Sequence, residues 1–464
     1  MSEFFGKMAQ EVSRAGDEYI VVFNDKISEW LRKKHFPQNS RTFSQPDWCF
    51  ENYQKGKEDF NDFTWKEFIG DFDRFNQYKA YNFNYENSRE IVSQVFHFAK
   101  YIFETEKPDL ILAEPETCTF NEAFSFWAKK HNSSYLGFID SKIPDRIDIY
   151  NSGYTCPKYQ LDFNKTDIKD IPEEEKTAAR AFIRDFVEHK KKPSYMDYHK
   201  NWEAMGEIGK IRNYIRRERE LFPFYLKYRK QRKRFKKFDF NSEILIKYPP
   251  LYLKKALKSR VRKVLQANIF DSKKQDSDFY LFPLHLQPEA STTVRAAYFS
   301  DQLNAIKNIA FSLPFPEKLY VKEHPLAFGT HNSEFYKKIK ELPNVFLLSH
   351  KEKTEELVKK CKGVITLTST IGLEAVFSGK PAYILGNVFY EYHPLAFRVS
   401  GFEELRSKLK ENPAISDLDN TNIRFFVSYF KNTTAGDIIL AVSKNDTNNY
   451  KEIYEFSKRT GCQQ

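Results

Sequence analysis

Between residues 279 and 385, short runs of aliphatic and aromatic residues alternate with amphipathic segments. No other feature constrains the fold as strongly. FYLFPL, KLYVKEH, NVFLLS, GVITLT and PAYIL read as five buried strands. DQLNAIKNIAFSL, HNSEFYKKIKEL, KTEELVKKC and IGLEAVFSG lie between them, each with apolar residues at helical spacing. Short strands joined by helices predict a parallel sheet covered on both faces. In such doubly wound α/β domains, ligands bind beyond the carboxyl ends of the strands.

The first part of the chain shows the same alternation with more interruption. EFFGKMAQEVSRAGDEYIVVF reads as a helix, a stop at Gly16 and a buried strand. REIVSQVFHFAKYIFETE and FNEAFSFWAKKH read as helices leading into the strands PDLILAEP and SSYLGFI, again predicting a parallel sheet. From about 172 to 263 the chain changes to long charged helices. The expected division is an N-terminal α/β domain over 1–265, with a basic helical insertion at about 172–263. A C-terminal domain over 266–464 closes in a helical return.

Composition removes several classes. A content of 41% hydrophobic and 16% aromatic residues excludes a disordered or collagen-like chain. No apolar run approaches the roughly 20 residues needed to span a bilayer. The first residues carry charges where a signal peptide needs an apolar stretch. The five cysteines form no CxxC pair, which argues against zinc ribbons and disulfide frameworks. The expected location is the cytoplasm. The net charge of +11 is concentrated: Lys210–Lys263 holds 20 basic and 4 acidic residues, so the remainder is net negative. A run of this kind fits nucleic acid, an anionic inner-membrane surface or an acidic glycan acceptor. Solvated basic helices are the plain alternative. Peripheral attachment to the inner face of the membrane is the favoured reading and nucleic acid the least.

Chemistry is sought where strands pass into helices. In VITLTSTIGLEAVFSGKPAYIL, the strand is followed by Thr368, Ser369, Thr370 and Gly372, then a helix bearing Glu374. Hydroxyls with the amides of a helix start predict a phosphate site; capping alone explains one hydroxyl. Gly372 would allow close approach of a ligand, and Glu374 would accept from a ribose diol. In LYVKEHP, the strand delivers Lys322, His324 and Pro325, with His324 offering a proton or hydrogen bond to a phosphate oxygen. An ordinary turn is the alternative. In FPLHLQPEAST, His285, Gln287 and Glu289 either face a substrate or form a plain polar loop. AEPETCTFNE brings Glu114, Glu116 and Glu122 to a strand end, as a general base or nucleophile, or as solvated loop charges. Glu289 is the remaining candidate catalytic carboxylate.

FPLHLQPEAST, DQLNAIKNIAFSLP, LYVKEHP and LTSTIGLEAVFSGKPAYILGNVFY together resemble the bacterial capsule polysaccharide synthesis family, which includes Kdo transferases. The likeness covers about residues 279–392 and touches EFFGKMAQEVSRAGDEYIVVFND more weakly. It implies a GT-B-like α/β glycosyltransferase, with two Rossmann-like domains facing a central cleft. The implied reaction moves Kdo or a related ulosonic acid from a CMP-activated donor to a capsule or surface glycan or glycolipid acceptor. The resemblance further implies that His324, Ser369 and Thr370 hold the donor phosphate, with no metal or other cofactor. Two departures are visible. The strand that usually precedes the opening helix is absent, and AEPETC matches the family's acidic motif loosely. Two rival readings are a teichoic-acid-type polyol-phosphate transferase with a CDP-activated donor, and a non-catalytic nucleotide-sugar-binding subunit of a capsule assembly complex. An RNA-binding protein is opposed by the paired sugar-nucleotide junctions.

Overall fold

The opening helix, Ser2–Arg14, stops where Gly16 takes a left-handed φ of 81°, and the chain turns into β1 (Ile20–Phe23). The computed structural model describes residues 1–461 apart from 56–62, 77–81, 152–156, 189–206, 272–278, 412 and 444–445. β1 pairs in parallel with β2 (Arg41–Ser44). A second sheet begins with β3 (Leu110–Ala113) and β4 (Ser134–Asp140), which are parallel and joined by the helix Thr119–Lys130. β5 (Arg146–Tyr150) then runs antiparallel to β4. This sheet is mixed, where a parallel one was expected. The reason is the connection: residues 141–145 are too few for the crossover that a parallel neighbour requires.

The six strands of the later region are β6 (Phe279–Pro283), β7 (Lys318–Lys322), β8 (Val345–Leu348), β9 (Gly363–Thr366), β10 (Ala382–Ile384) and β11 (Ala396–Arg398). All five strands read from the sequence are present, and β11 adds an edge. They form one parallel sheet in the order β11-β10-β9-β6-β7-β8. Alternate side chains feed two cores. Tyr280, Phe282, Leu319, Val321 and Ile365 join one cluster, while Phe279, Leu281, Tyr320 and Val364 join the other. Burial on both faces is why these strands read as unbroken apolar runs.

The chain divides into two compact units that differ from the expected pair. Unit 1 comprises Met1–Ser152, Lys192–Tyr252 and Thr433–Gln464; unit 2 comprises Gly153–Lys191 and Leu253–Asn432. Two departures from a boundary at 265 have clear causes. The helices Pro157–Lys165 and Glu173–Val187 join unit 2 because Arg424 donates to the carbonyls of Phe163 and Thr166, and Phe182 packs on Phe426 with ring centres 4.8 Å apart. The end of the chain joins unit 1 because β12 (Thr433–Ala435) pairs antiparallel with β5. The helix Tyr450–Gly461 then buries Ile453 and Tyr454 with Phe4, Phe138 and Ile147.

Ile453 is wholly buried in that cluster. Ile453→Ala is expected to destabilise unit 1 by about 2–5 kcal/mol. Denaturant unfolding should show the unit 1 transition moving to lower concentration while the unit 2 transition stays in place. Equal movement of both would contradict the division.

Candidate functional site

The sheet of unit 2 reverses direction between β6 and β9, the switch point at which ligands of such sheets bind. β6 pairs with β7 as far as Pro283↔Lys322, but with β9 only through Tyr280↔Gly363 and Leu281↔Val364. Past those two pairs the strands part. His285, just beyond β6, closes the gap. Its Nε2 accepts the Thr368 N–H at 3.2 Å and lies 3.3 Å from Thr366 Oγ1. Gln302 grips the same residue from the other side, accepting the His285 N–H at 2.7 Å and donating to its carbonyl at 3.0 Å. Gln302 Nε2 also donates to Gln287 Oε1 at 2.8 Å.

His285 and Gln287 were expected to face a substrate. They instead form a polar brace, and His285 is only 6% exposed. Burial, followed by the nearby His324, pulls the His285 ring down to about 3. The Pro283 carbonyl and Gln302 side chain oppose that shift, although Nδ1 makes no hydrogen bond of its own. The ring is therefore neutral at physiological pH. Because Nε2 accepts, the proton is assigned to Nδ1.

The Thr368–Gly372 loop also differs from its expected arrangement. A phosphate seat of hydroxyls and backbone amides was predicted, yet most of these amides are used internally. Ser369 N–H goes to Thr366 Oγ1, Ile371 N–H to Ser369 Oγ, and Gly372 N–H to the Ser369 carbonyl. Thr368 Oγ1 donates to the Ser291 carbonyl at 2.8 Å, which ties this loop to the QPEAST turn. Gly372 makes room for a side chain and not for a ligand: a Cβ there would sit 2.3 Å from the Tyr390 hydroxyl, which donates to Ser369 O. Glu374 is only 8% exposed, so it presents little surface to a ribose. Ser369 and Thr370 remain half-buried, each with a hydroxyl proton to donate.

At the end of β7, His324 is half-buried and Pro325 exposed. His324 Nδ1 accepts the Leu326 N–H at 3.1 Å, which assigns the proton of the neutral ring to Nε2. Glu323 braces this turn, accepting from His324 N–H and from the Tyr336 hydroxyl. Lys322 is buried, with Nζ 3.5 Å from the His350 carbonyl. Burial lowers its pKa, against the opposing pull of Glu323 and Glu374. Glu289 is exposed and accepts from Ser291, while its carbonyl accepts from Thr292 and Thr293. It opens a short helix, the plain alternative for this turn.

The carboxylates beyond β3 belong to unit 1. Glu116 is 1% exposed and accepts the Ser125 hydroxyl at 2.8 Å, so it is sealed from solvent. Glu114 and Glu122 are half-buried. Around the Glu122 carboxyl, burial and the neighbouring Glu116 push the pKa up to about 8, so it carries a proton near neutral pH. Asp71, which sequence reasoning missed, is buried and caps the helix Thr119–Lys130 by accepting the Thr119 N–H at 2.9 Å. Gln302 and Tyr390 were missed as well. Gln302 alone had a signal, a buried amide on the inward face of an otherwise apolar helix start.

Residues 222–399 match the family described as "Capsule polysaccharide biosynthesis protein". The match covers less than half of the chain. The expectation drawn from FPLHLQPEAST, LYVKEHP and LTSTIGLEAVFSG holds over that segment. The capsule polysaccharide export protein KpsS of Escherichia coli is 26% identical over 133 residues, covering 26% of this chain and 33% of that protein. The chain thus spans about a third of the length of this curated relative. Among solved structures, KpsC of Thermosulfurimonas dismutans, a β-Kdo 2,7 transferase, is 16% identical at a TM-score of 0.26, over 44% of this chain and 61% of that one. The UDP-GlcNAc 2-epimerase of Methanocaldococcus jannaschii is 10% identical at a TM-score of 0.26, over 91% and 94%.

The capsule-family segment contains His285, and its neutral ring gives a pH test. The unfolded ring takes up a proton below about 6.5, while the folded ring resists until about 3. The unfolded state therefore binds more protons across that window, and stability falls as pH drops through it, by up to about 1.4 kcal/mol per unit. His285→Gln is expected to flatten this slope between pH 6 and 4. It should not abolish it, since burial also lowers His331 and His393 to about 4. An unchanged slope in denaturant titrations would contradict the neutral, buried ring.

Proposed function

We propose that the chain is a GT-B-type glycosyltransferase that moves an acidic sugar from a CMP carrier to a capsule or surface glycan or glycolipid acceptor. Kdo or a related ulosonic acid is the sugar that the family resemblance favours. The observation that carries this reading is the position of the capsule-family match: residues 222–399 include the ends of β6, β7 and β9 at the switch point.

In this reading, Ser369 and Thr370 donate their hydroxyl protons to the donor phosphate, and His324 donates through Nε2. Donors aimed at a leaving phosphate stabilise the charge that develops as its bond to the sugar breaks. The bond between the anomeric carbon and the phosphate oxygen breaks, a new bond forms to the acceptor oxygen, and the acceptor's proton passes to a carboxylate. Glu116 is sealed and Glu122 already holds a proton, which leaves Glu114 and Glu289 as the candidate bases. The leaving charge is met by hydrogen-bond donors, so turnover in the presence of EDTA is part of the proposal. The burial of Glu116 also favours one competing reading, a nucleotide-sugar-binding subunit without catalysis.

A thermal-shift panel tests the carrier. CMP is expected to raise the melting temperature more than UDP or GDP, because binding to the native state stabilises it by mass action. A larger shift with CDP would instead favour polyol-phosphate transfer, and a preference for UDP or GDP would remove the cytidine assignment.

Single variants test the roles. A lost hydrogen bond to a charged group costs roughly 1.5–3 kcal/mol, so His324→Ala and Ser369→Ala should each weaken donor binding or turnover by about ten- to a hundredfold. Of Glu114→Gln and Glu289→Gln, one should abolish transfer yet keep the CMP-induced shift. Transfer by both variants at the wild-type rate would remove both carboxylates as the base.

A further inference from the structure

The helix Phe240–Leu265 is amphipathic in an inverted sense along its second half. Residues recurring every three or four positions hold it to unit 2. Ser259 lies against Gly329, Arg262 donates to the Thr330 carbonyl, and Gln266, just past the last turn, donates to the His331 carbonyl at 3.1 Å. This inward face is polar. The opposite face carries Leu253, Leu257, Val261 and Val264, each more than half exposed, with Leu265 beside them. Their spacing of three or four residues places them on one stripe. Lys254 and Lys258 flank the stripe on one side and Arg260 on the other.

The helix Glu207–Phe235 also carries an outward aliphatic stripe, although its inward face is apolar. Leu221, Phe224, Tyr228 and Phe235 are buried on one face. Ile211, Ile215, Phe222 and Leu226 are exposed along another, amid the basic run. Charge alone explains neither helix, since solvated basic helices have no need for stripes of outward leucine, isoleucine and valine. Nucleic-acid phosphates would engage the cations and leave the aliphatic stripe in water. A second copy of the chain would bring two basic stripes together. An anionic bilayer satisfies both halves of the pattern, with aliphatic groups in the acyl boundary and cations at the headgroups.

We propose that the second half of the helix Phe240–Leu265 is a membrane-surface anchor that lies in the headgroup plane of an anionic bilayer. Leu253, Leu257, Val261 and Val264 enter the acyl boundary, and Lys254 and Lys258 extend to lipid phosphates. Among the described residues, no helix is long and apolar enough to cross a membrane. The anchor lies on the bilayer and does not span it. This inference is independent of the donor and the reaction.

The full chain is to be sedimented with vesicles of phosphatidylglycerol and phosphatidylethanolamine, and with vesicles of phosphatidylcholine alone. Wild type is expected to pellet with the anionic vesicles only. The combined variant Leu257→Ser, Val261→Ser, Val264→Ser should weaken that binding about tenfold or more while keeping the melting temperature and the nucleotide response. Lys254→Glu with Lys258→Glu should weaken it as well, as should raised salt. Leu257→Trp should show blue-shifted emission with anionic vesicles. The proposal is overturned if wild type ignores anionic vesicles, if the serine variant binds them like wild type, or if the tryptophan emission does not move. It is also overturned if the chain binds RNA in place of vesicles, or if the serine variant dissolves a dimer seen in sedimentation velocity.

Discussion

Two residue pairs, Tyr280↔Gly363 and Leu281↔Val364, join β6 to β9, and the candidate donor site in unit 2 follows from the shortness of that ladder. Strands that part at their carboxyl ends leave backbone groups needing partners in the sheet interior. A buried polar group without a hydrogen bond costs free energy, so the gap has to be bridged. His285 bridges it with an imidazole nitrogen, and Gln302 pins the histidine backbone in return. With the Thr368 amide committed to this repair, and those of Ser369, Ile371 and Gly372 bonded locally, the loop keeps the half-buried hydroxyls of Ser369 and Thr370. The site is thus a rigid seat with few donors, and the rigidity comes from the network beneath it.

The two units handle buried ionisable groups in different ways. Unit 2 uses neutral donors and acceptors at its switch point, with the histidine kept uncharged by burial. Unit 1 gathers carboxyls beyond β3, where Glu116 raises the pKa of Glu122 and Asp71 serves as a helix cap. A carboxyl cut off from water beside another carboxylate keeps its proton to higher pH.

Much of unit 2 was legible in the sequence because its strands are covered on both faces and read as continuous apolar runs. β11 was not, since Ala396–Arg398 is three residues at a sheet edge with no apolar run. The three junctions were found from composition, but which groups point outward was not readable. That depends on where β6 and β9 diverge, a property of register and not of residue type. Glu114 and Glu116 could not be told apart either. Glu116 is buried against the Ser125 hydroxyl, a contact nine residues along the chain that residue type does not reveal. The helices at 157–187 have apolar faces that do not say which core will receive them. The basic run was visible as charge, but its outward aliphatic stripes required knowing which side faces the protein.

The return of Thr433–Gln464 to unit 1 has a consequence for the order of synthesis. Unit 2 is encoded inside unit 1, and its last residue, Asn432, precedes the strand that completes the other sheet. A growing chain can therefore finish its second unit while its first is still incomplete. Until β12 emerges, β5 presents an unpaired edge, and its own Ile147 and Ile149 await the cover of the helix Tyr450–Gly461. Open hydrophobic edges of this kind are where nascent chains associate wrongly. For this protein the hazard lies in β5, made early, and it is removed by β12 and the helix Tyr450–Gly461, made later.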